Sequence, residues 1–142
     1  MVYLIGSLRH PRVREVAAVI RAHRIEVFDD WHAAGPEADD IWQRYEQERG
    51  RSYREALTAK HARMVLDFDR DNLNRSTAAV LVMPAGKSGH LELGYIIGQG
   101  KPGYILLEEE PTRWDVMYAF ASGVMYCTDD LISVLKGAAW AA

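Results

Sequence analysis

A single cysteine, Cys127, stands in a chain of 142 residues. That excludes a disulfide framework and a thiolate metal cluster. The five histidines show no His-x-x-x-His or related spacing, so no metal ion is expected. No apolar run approaches the roughly 20 residues needed to cross a bilayer. The N-terminal segment Met1-Val2-Tyr3-Leu4-Ile5-Gly6 carries no basic leader, so a secretory signal is not expected. Nor is there an excess of positive charge: the net charge is -3 at neutral pH. A protein that wraps a duplex normally carries a basic excess, which disfavours polymeric nucleic acid as a partner. One small anion is still within reach, because a few placed cations and backbone amides suffice for a phosphate. The dinucleotide glycine pattern and the lysine-containing phosphate loop are both missing, which weakens the common nucleotide-binding readings. Repeats, low-complexity tracts and linkers are absent as well.

What is present is the composition of one soluble globular domain, spanning 1–142, with a cytoplasmic location as the default. Hydrophobic residues make up 49% and charged residues 26%, far from a disordered tail. Four tryptophans suit a filled core or a ring-binding pocket. Short apolar runs read as buried strands at 2–5, 25–28, 78–83, 103–107 and 124–127. Helical spacing falls between them: after Pro11, with Val13, Val16, Ala17, Val19 and Ile20 on one face; over 40–74, broken near Gly50; over 91–97; over 114–120; and over 130–136. In the second half of the long segment, Ala56, Ala59, Ala62, Met64, Val65 and Phe68 form the expected apolar face. Strands alternating with helices in this way predict an α/β fold with helices on both faces of a parallel sheet.

Ligands in such sheets sit at the carboxyl ends of the strands, where strand order reverses. The glycine turn Gly6-Ser7-Leu8-Arg9 offers backbone amides and a guanidinium to an anion, or else is only a strand-to-helix turn with Ser7 as a cap. In Asp29-Asp30-Trp31 an indole could stack on a base while a carboxylate, Asp30, reads its edge; a simple acidic turn is the alternative. The densest segment runs from Pro84 to Tyr95. Gly86 and Gly89 let the backbone approach a ligand, with Ser88 and His90 beside them. Glu92 is expected in about the first helical turn, where the helix dipole favours its ionised form. An ionised, positioned carboxylate can attack an electrophilic carbon. The plainer alternatives are that Glu92 caps a helix and that Gly94 permits close helix packing. Asp67 and Asp71 read as a solvated acidic face.

Three segments together resemble the nucleoside 2-deoxyribosyltransferase superfamily, including its nucleotide N-glycosidase branch. They are Tyr3-Leu4-Ile5-Gly6-Ser7, Asp69-Arg70-Asp71-Asn72-Leu73, and Ser88-Gly89-His90-Leu91-Glu92-Leu93-Gly94-Tyr95 with Gly100-Lys101-Pro102. The resemblance implies a flavodoxin-like three-layer sandwich with a five-stranded parallel sheet, working as a homo-oligomer and needing no cofactor. It matches Glu92 to the family's nucleophile and Asp69 to the aspartate that handles the base. It sets Ser88, Gly6, Ser7 and Arg9 on the phosphate and sugar side. The segment Arg113-Trp114-Asp115-Val116-Met117-Tyr118 looks like a small bacterial or phage-associated subgroup.

The implied activity is cleavage of the N-glycosidic bond of a nucleoside 5′-monophosphate through a glycosyl–Glu92 ester. The alternatives are base exchange on free nucleosides and a non-catalytic nucleotide sensor. The chain departs from the transferases at Gly86, where they carry an aspartate six residues before the nucleophile, and at Thr77, often aspartate there. No asparagine matches the one they contribute near the C-terminus of a neighbouring subunit. These departures weigh against free-nucleoside transfer more than against glycosidic chemistry. The apolar end 137–142 is a candidate for packing on a partner subunit.

Overall fold

Period-two alternation on both faces of the sheet explains why its strands read as continuous apolar runs. In the computed structural model, which describes residues 1–140, Val2, Leu4, Val80 and Leu106 point to one face, while Tyr3, Ile5, Leu81 and Ile105 point to the other. The strands are β1 (Val2–Ile5), β2 (Val27–Phe28), β3 (Ala78–Val82), β4 (Gly103–Leu106) and β5 (Gly123–Met125). They form one all-parallel sheet in the order β2-β1-β3-β4-β5. Helices α1 (Arg12–Ala22), α2 (Ala38–Glu48), α3 (Tyr53–Ala56), α4 (Lys60–Arg75), α5 (Lys87–Gly98) and α6 (Thr128–Trp140) complete the chain, with 3-10 turns at Asp30–Ala34 and Val116–Phe120. The architecture is the expected flavodoxin-like three-layer sandwich.

Two apolar cores flank the sheet. One packs Val13, Val16, Ala17 and Ile20 of α1 with Leu131, Ile132 and Leu135 of α6. The other packs Leu73 of α4 with Leu93 and Ile96 of α5. Neighbouring strands β1 and β3 therefore send their following helices, α1 and α5, to opposite faces. That divergence opens a crevice at their carboxyl ends, flanked by 6–11 and 83–86.

A buried arginine that the sequence pattern did not single out closes this edge. Arg12 donates from Nη1 to the Met83 carbonyl at 2.8 Å and from Nη2 to the Leu107 carbonyl at 3.1 Å. Its Nε lies 3.1 Å from a Glu108 carboxylate oxygen. One guanidinium thus ties α1 to the ends of β3 and β4.

Several expectations need correction. Strand β2 is two residues long, because Arg24 turns the chain with a φ of 61° and pairing with β1 extends only over Val27 and Phe28. The apolar row on α4 does not enter the core: Met64, Val65, Leu66 and Phe68 are about half exposed. Of the apolar residues of α4 only Leu73 is buried in the core; Phe68 touches Phe28 of β2 but stays half exposed, so most of the helix's apolar face is left uncovered. The long helical segment breaks near Gly50 as expected and again between α3 and α4. Ser7 does not cap α1; its Oγ accepts the Arg9 N–H, and His10 Nδ1 accepts the N–H of Arg12. The apolar end 137–142, a candidate for packing on a partner subunit, runs outside the described residues.

Gly6 is required for closeness rather than for an unusual φ. A Cβ there would stand 2.5 Å from Val13 Cγ2 and 3.3 Å from the Val82 carbonyl oxygen. Gly94, by contrast, has open space around its missing Cβ and makes no close helix packing. Urea unfolding is expected to separate the two. Gly6→Ala should lose about 1–3 kcal/mol from overpacking, while Gly94→Ala should gain roughly 0.5–1 kcal/mol from helix propensity.

Candidate active site

Helix α5 begins beside β1 because Gly89 packs flat on the sheet: a Cβ there would lie 3.0 Å from both Ile5 and Leu81. With Gly89, Leu93 and Ile96 facing inward, Ser88, Glu92, Tyr95 and Gln99 share a flank at i, i+4, i+7 and i+11. That flank faces α4, since the Tyr95 hydroxyl and Gln99 Nε2 both donate to Asn74 Oδ1, at 2.9 and 2.7 Å. The C-terminal end of α4 is pinned at the same place. Lys101 Nζ donates to the carbonyls of Leu73 and Asn74 at 3.3 and 2.7 Å. The lysine of the Gly100-Lys101-Pro102 segment is thus a helix-end cap.

One turn before Tyr95, Glu92 meets Asp69 of α4. Glu92 is largely buried and its carboxyl is pushed up to about 8, first by burial and then by the nearby Asp69 charge. Glu92 lies in the second turn of α5, not the first, so burial rather than the helix dipole sets its protonation. Asp69 is raised as well; burial is the larger influence, and the nearby Tyr3 hydroxyl opposes it. Two partly buried carboxyls whose charges act on each other cannot both ionise freely, so Glu92 keeps its proton at neutral pH.

Tyr3 is the third member, and the strand pattern of β1 concealed it. Its ring is fully buried against Phe28 at a centroid distance of 5.1 Å, and Phe28 in turn meets Phe68. Its phenol is raised by burial, then by Glu92 and Asp69. The Tyr3 hydroxyl faces the Asp69 carboxyl, yet Tyr3 Oη and Asp69 Oδ1 make no hydrogen bond of ordinary geometry. Both are buried polar atoms left to be satisfied, a costly condition in the protein interior.

The remaining expected residues fall into two groups. Gly86, Ser88, Gly89 and His90 all belong to the start of α5, with Gly86 as its N-cap. His90 Nδ1 donates to the Gly86 carbonyl at 2.7 Å, which leaves Nε2 to accept the Tyr118 hydroxyl at 2.9 Å. The two rings stack with centroids 5.7 Å apart. His90 therefore anchors the 3-10 turn at Val116–Phe120 to α5. An open hollow of about 650 Å³ lies here, lined by Ala85, Gly86, Lys87, His90 and Leu91. Glu92 does not line it, because its carboxyl sits around the helix on the α4 side.

Residues beyond the first two strands are already engaged. Trp31 donates from Nε1 to the Leu4 carbonyl at 2.7 Å, replacing the partner that short β2 fails to supply. Its indole packs against both cores and stands edge-on to His32. Asp29 is bound by Arg21, while Asp30 is exposed. Arg9 forms an exposed ion pair with Asp40 of α2 at 2.7 Å. Ser7 and Gly6 lie on the crevice edge as expected. The structure thus brings Glu92 and Asp69 together with Tyr3, and it sets Gly86, Ser88, Gly89 and His90 on the adjoining helix start.

No protein-family model matches this sequence, and no curated protein compared with it matches.

The raised Glu92 has a consequence for stability. The folded protein holds this proton more tightly than the unfolded chain, whose carboxyl titrates near the ordinary 4.5. The stabilisation is complete below that value and is lost as pH rises through about 8. Chemical denaturation between pH 5 and pH 9 is expected to show falling stability in the wild type. Glu92→Gln, which cannot ionise, should flatten much of that fall; an unchanged slope would mean that Glu92 is ionised in the folded state.

Proposed function

We propose that the protein cleaves the N-glycosidic bond of a nucleoside 5′-monophosphate, as the motif resemblance to the nucleoside 2-deoxyribosyltransferase superfamily implies. The observation that carries this reading is the partly buried Glu92–Asp69 pair, held with Tyr3 of β1. Such a pair supplies both groups the reaction needs. The proton of Glu92 first passes to Asp69, and the carboxylate so freed at Glu92 attacks the anomeric carbon from the face opposite the base. The shared proton, delivered through Asp69, goes to the departing base as the C–N bond breaks. Water, or a second base, then releases the glycosyl ester, and two inversions give net retention. The protonated resting state of Glu92 favours entry of an anionic substrate, since the site does not add a full second negative charge. Ser88, one turn before Glu92 on the same flank, is suited to the sugar or phosphate, and Gly6 and Ser7 to the opposite lip. No cofactor enters these steps.

The half-exposed α4 row and the neighbouring Leu91 and Tyr95 support a homo-oligomer in which a second subunit covers the α4–α5 flank. Contiguous apolar surface of this kind marks an interaction site. Cover of this sort would also dry the carboxyl pair, which strengthens every electrostatic interaction within it.

One observation favours base exchange on free nucleosides as a second reading: the Arg9 guanidinium is already paired with Asp40. A phosphate would have to compete with that carboxylate. A screen of nucleosides and their monophosphates for released base, by chromatography, separates the two. On the substrate found, Glu92→Gln should lose roughly a thousandfold or more in kcat, and Asp69→Asn about a hundredfold or more. Near-normal turnover in Glu92→Gln overturns the mechanism. Retained discrimination for the phosphate in Arg9→Ala overturns only the phosphate role of Arg9. Phe68→Asp should yield a smaller species by gel filtration together with lost turnover; a monomeric wild type with full activity contradicts the shared-site arrangement.

A further inference from the structure

The helical excursion between β2 and β3 contains a second hollow that shares no residue with the carboxyl pair. It measures about 280 Å³ and lies between α2 and α3, with Trp42, Glu46, Arg51 and Tyr53 in its wall. The backbone around it is firmly set. The Glu46 carbonyl accepts the N–H groups of Arg49 and Arg51 at 3.2 and 3.1 Å, and Gly50 takes a φ of 70° to make the corner. Ser52 and Glu55 then close a reciprocal cap at the start of α3. The hollow is therefore bounded by structure rather than by a loose loop.

Within that wall Glu46 is 2% exposed. Its Oε2 accepts from Arg51 Nη1 at 2.6 Å. Its Oε1 is buried and has no hydrogen-bond partner, and Trp42 Nε1 is in the same condition. Residues 42 and 46 stand one turn apart on one face of α2. One acceptor and one donor, on residues one helical turn apart, are thus left unsatisfied, which the interior of a protein rarely tolerates.

The chemistry of the wall narrows the ligand. Arg51 already balances the charge of Glu46, so a cation is not called for. Asp39 on the rim repels an anion. What is missing is an N–H for Glu46 Oε1 and a carbonyl for Trp42 Nε1. The Trp42 and Tyr53 rings, 6.5 Å apart and steeply inclined, supply flat apolar contact. A neutral planar ring with an N–H next to a C=O meets all of these demands.

We propose that the α2–α3 hollow binds a neutral planar cyclic amide, with its N–H donated to Glu46 Oε1 and its carbonyl accepting from Trp42 Nε1. Pyrimidine and purine bases carrying a lactam edge belong to this class. Because both polar atoms are covered, the partly exposed Trp42 indole turns outward to admit the ring, and its Nε1–H signal reports the event.

The test is heteronuclear NMR of the full chain, in which the four tryptophans give four indole signals. Trp42→Phe assigns the relevant one. Titration with uracil is expected to move the Trp42 signal saturably at millimolar concentration. The N,N′-dimethyl derivative keeps both carbonyls but lacks the N–H, and should bind about tenfold more weakly or not at all. Glu46→Gln should weaken uracil by a similar factor. Tyr53→Ala, which leaves the Glu46–Arg51 pair intact, should weaken it roughly fivefold through lost ring contact. The proposal is overturned if the Trp42 signal does not move, or if uracil and its dimethyl derivative move it alike. It is equally overturned if both wall variants bind uracil as the wild type does. Movement confined to the other indole signals points to binding elsewhere, including the carboxyl pair, and also overturns it.

Discussion

A guanidinium carried into the carboxyl edge of the sheet is the constraint around which that edge is arranged. Arg12 reaches from α1 across the ends of β3 and β4 and satisfies two carbonyls that strand pairing leaves open. Its charge is met by Glu108 from the solvent side. The crevice therefore has a fixed floor rather than three independent loops. The start of α5 is placed by the same device, since Met83 lies only a few residues before Gly86. A helix start held in register is what allows Glu92, six residues into α5, to meet Asp69 on a different helix.

The meeting of those two carboxyls depends on packing more than on their own attraction, because like groups in a buried site repel when ionised. Gly89 lets α5 lie close to the sheet, Lys101 and Ser76 finish the end of α4, and Asn74 links the two helices through Tyr95 and Gln99. These contacts force an acidic pair into a partly buried place where burial raises both carboxyls. The pair then lowers its energy by keeping a proton. The flank of α5 that carries the pair adjoins the uncovered apolar row of α4.

Much of the fold was legible along the chain. The strands announced themselves because both faces of a parallel sheet are buried, which turns alternation into unbroken apolar runs such as Ala78–Val82. The helix after Pro11 was legible because one of its faces meets a sheet. The apolar row of α4 misled for an equally physical reason. Periodicity records which side of a helix avoids water; it does not say whether the cover belongs to the same chain. Glu92 and Asp69 were legible as carboxylates in suggestive motifs, but Tyr3 was not, since a tyrosine inside a strand of hydrophobics looks like core. Arg12 escaped for the opposite reason, as one more charge beside a proline at a helix start.

The sequence by itself determined the order of strands and helices, the absence of cysteine-based and long apolar architectures, and the glycine-rich start of α5. Those are local properties, written in spacing and composition. Only the tertiary structure decided which carboxyls come near each other, that burial raises them, and which expected ligand groups are already engaged. Arg9 is paired with Asp40, and Trp31 with the Leu4 carbonyl, through contacts spanning about thirty residues of chain. Protonation and pairing depend on distance and burial in three dimensions, and no one-dimensional pattern encodes either.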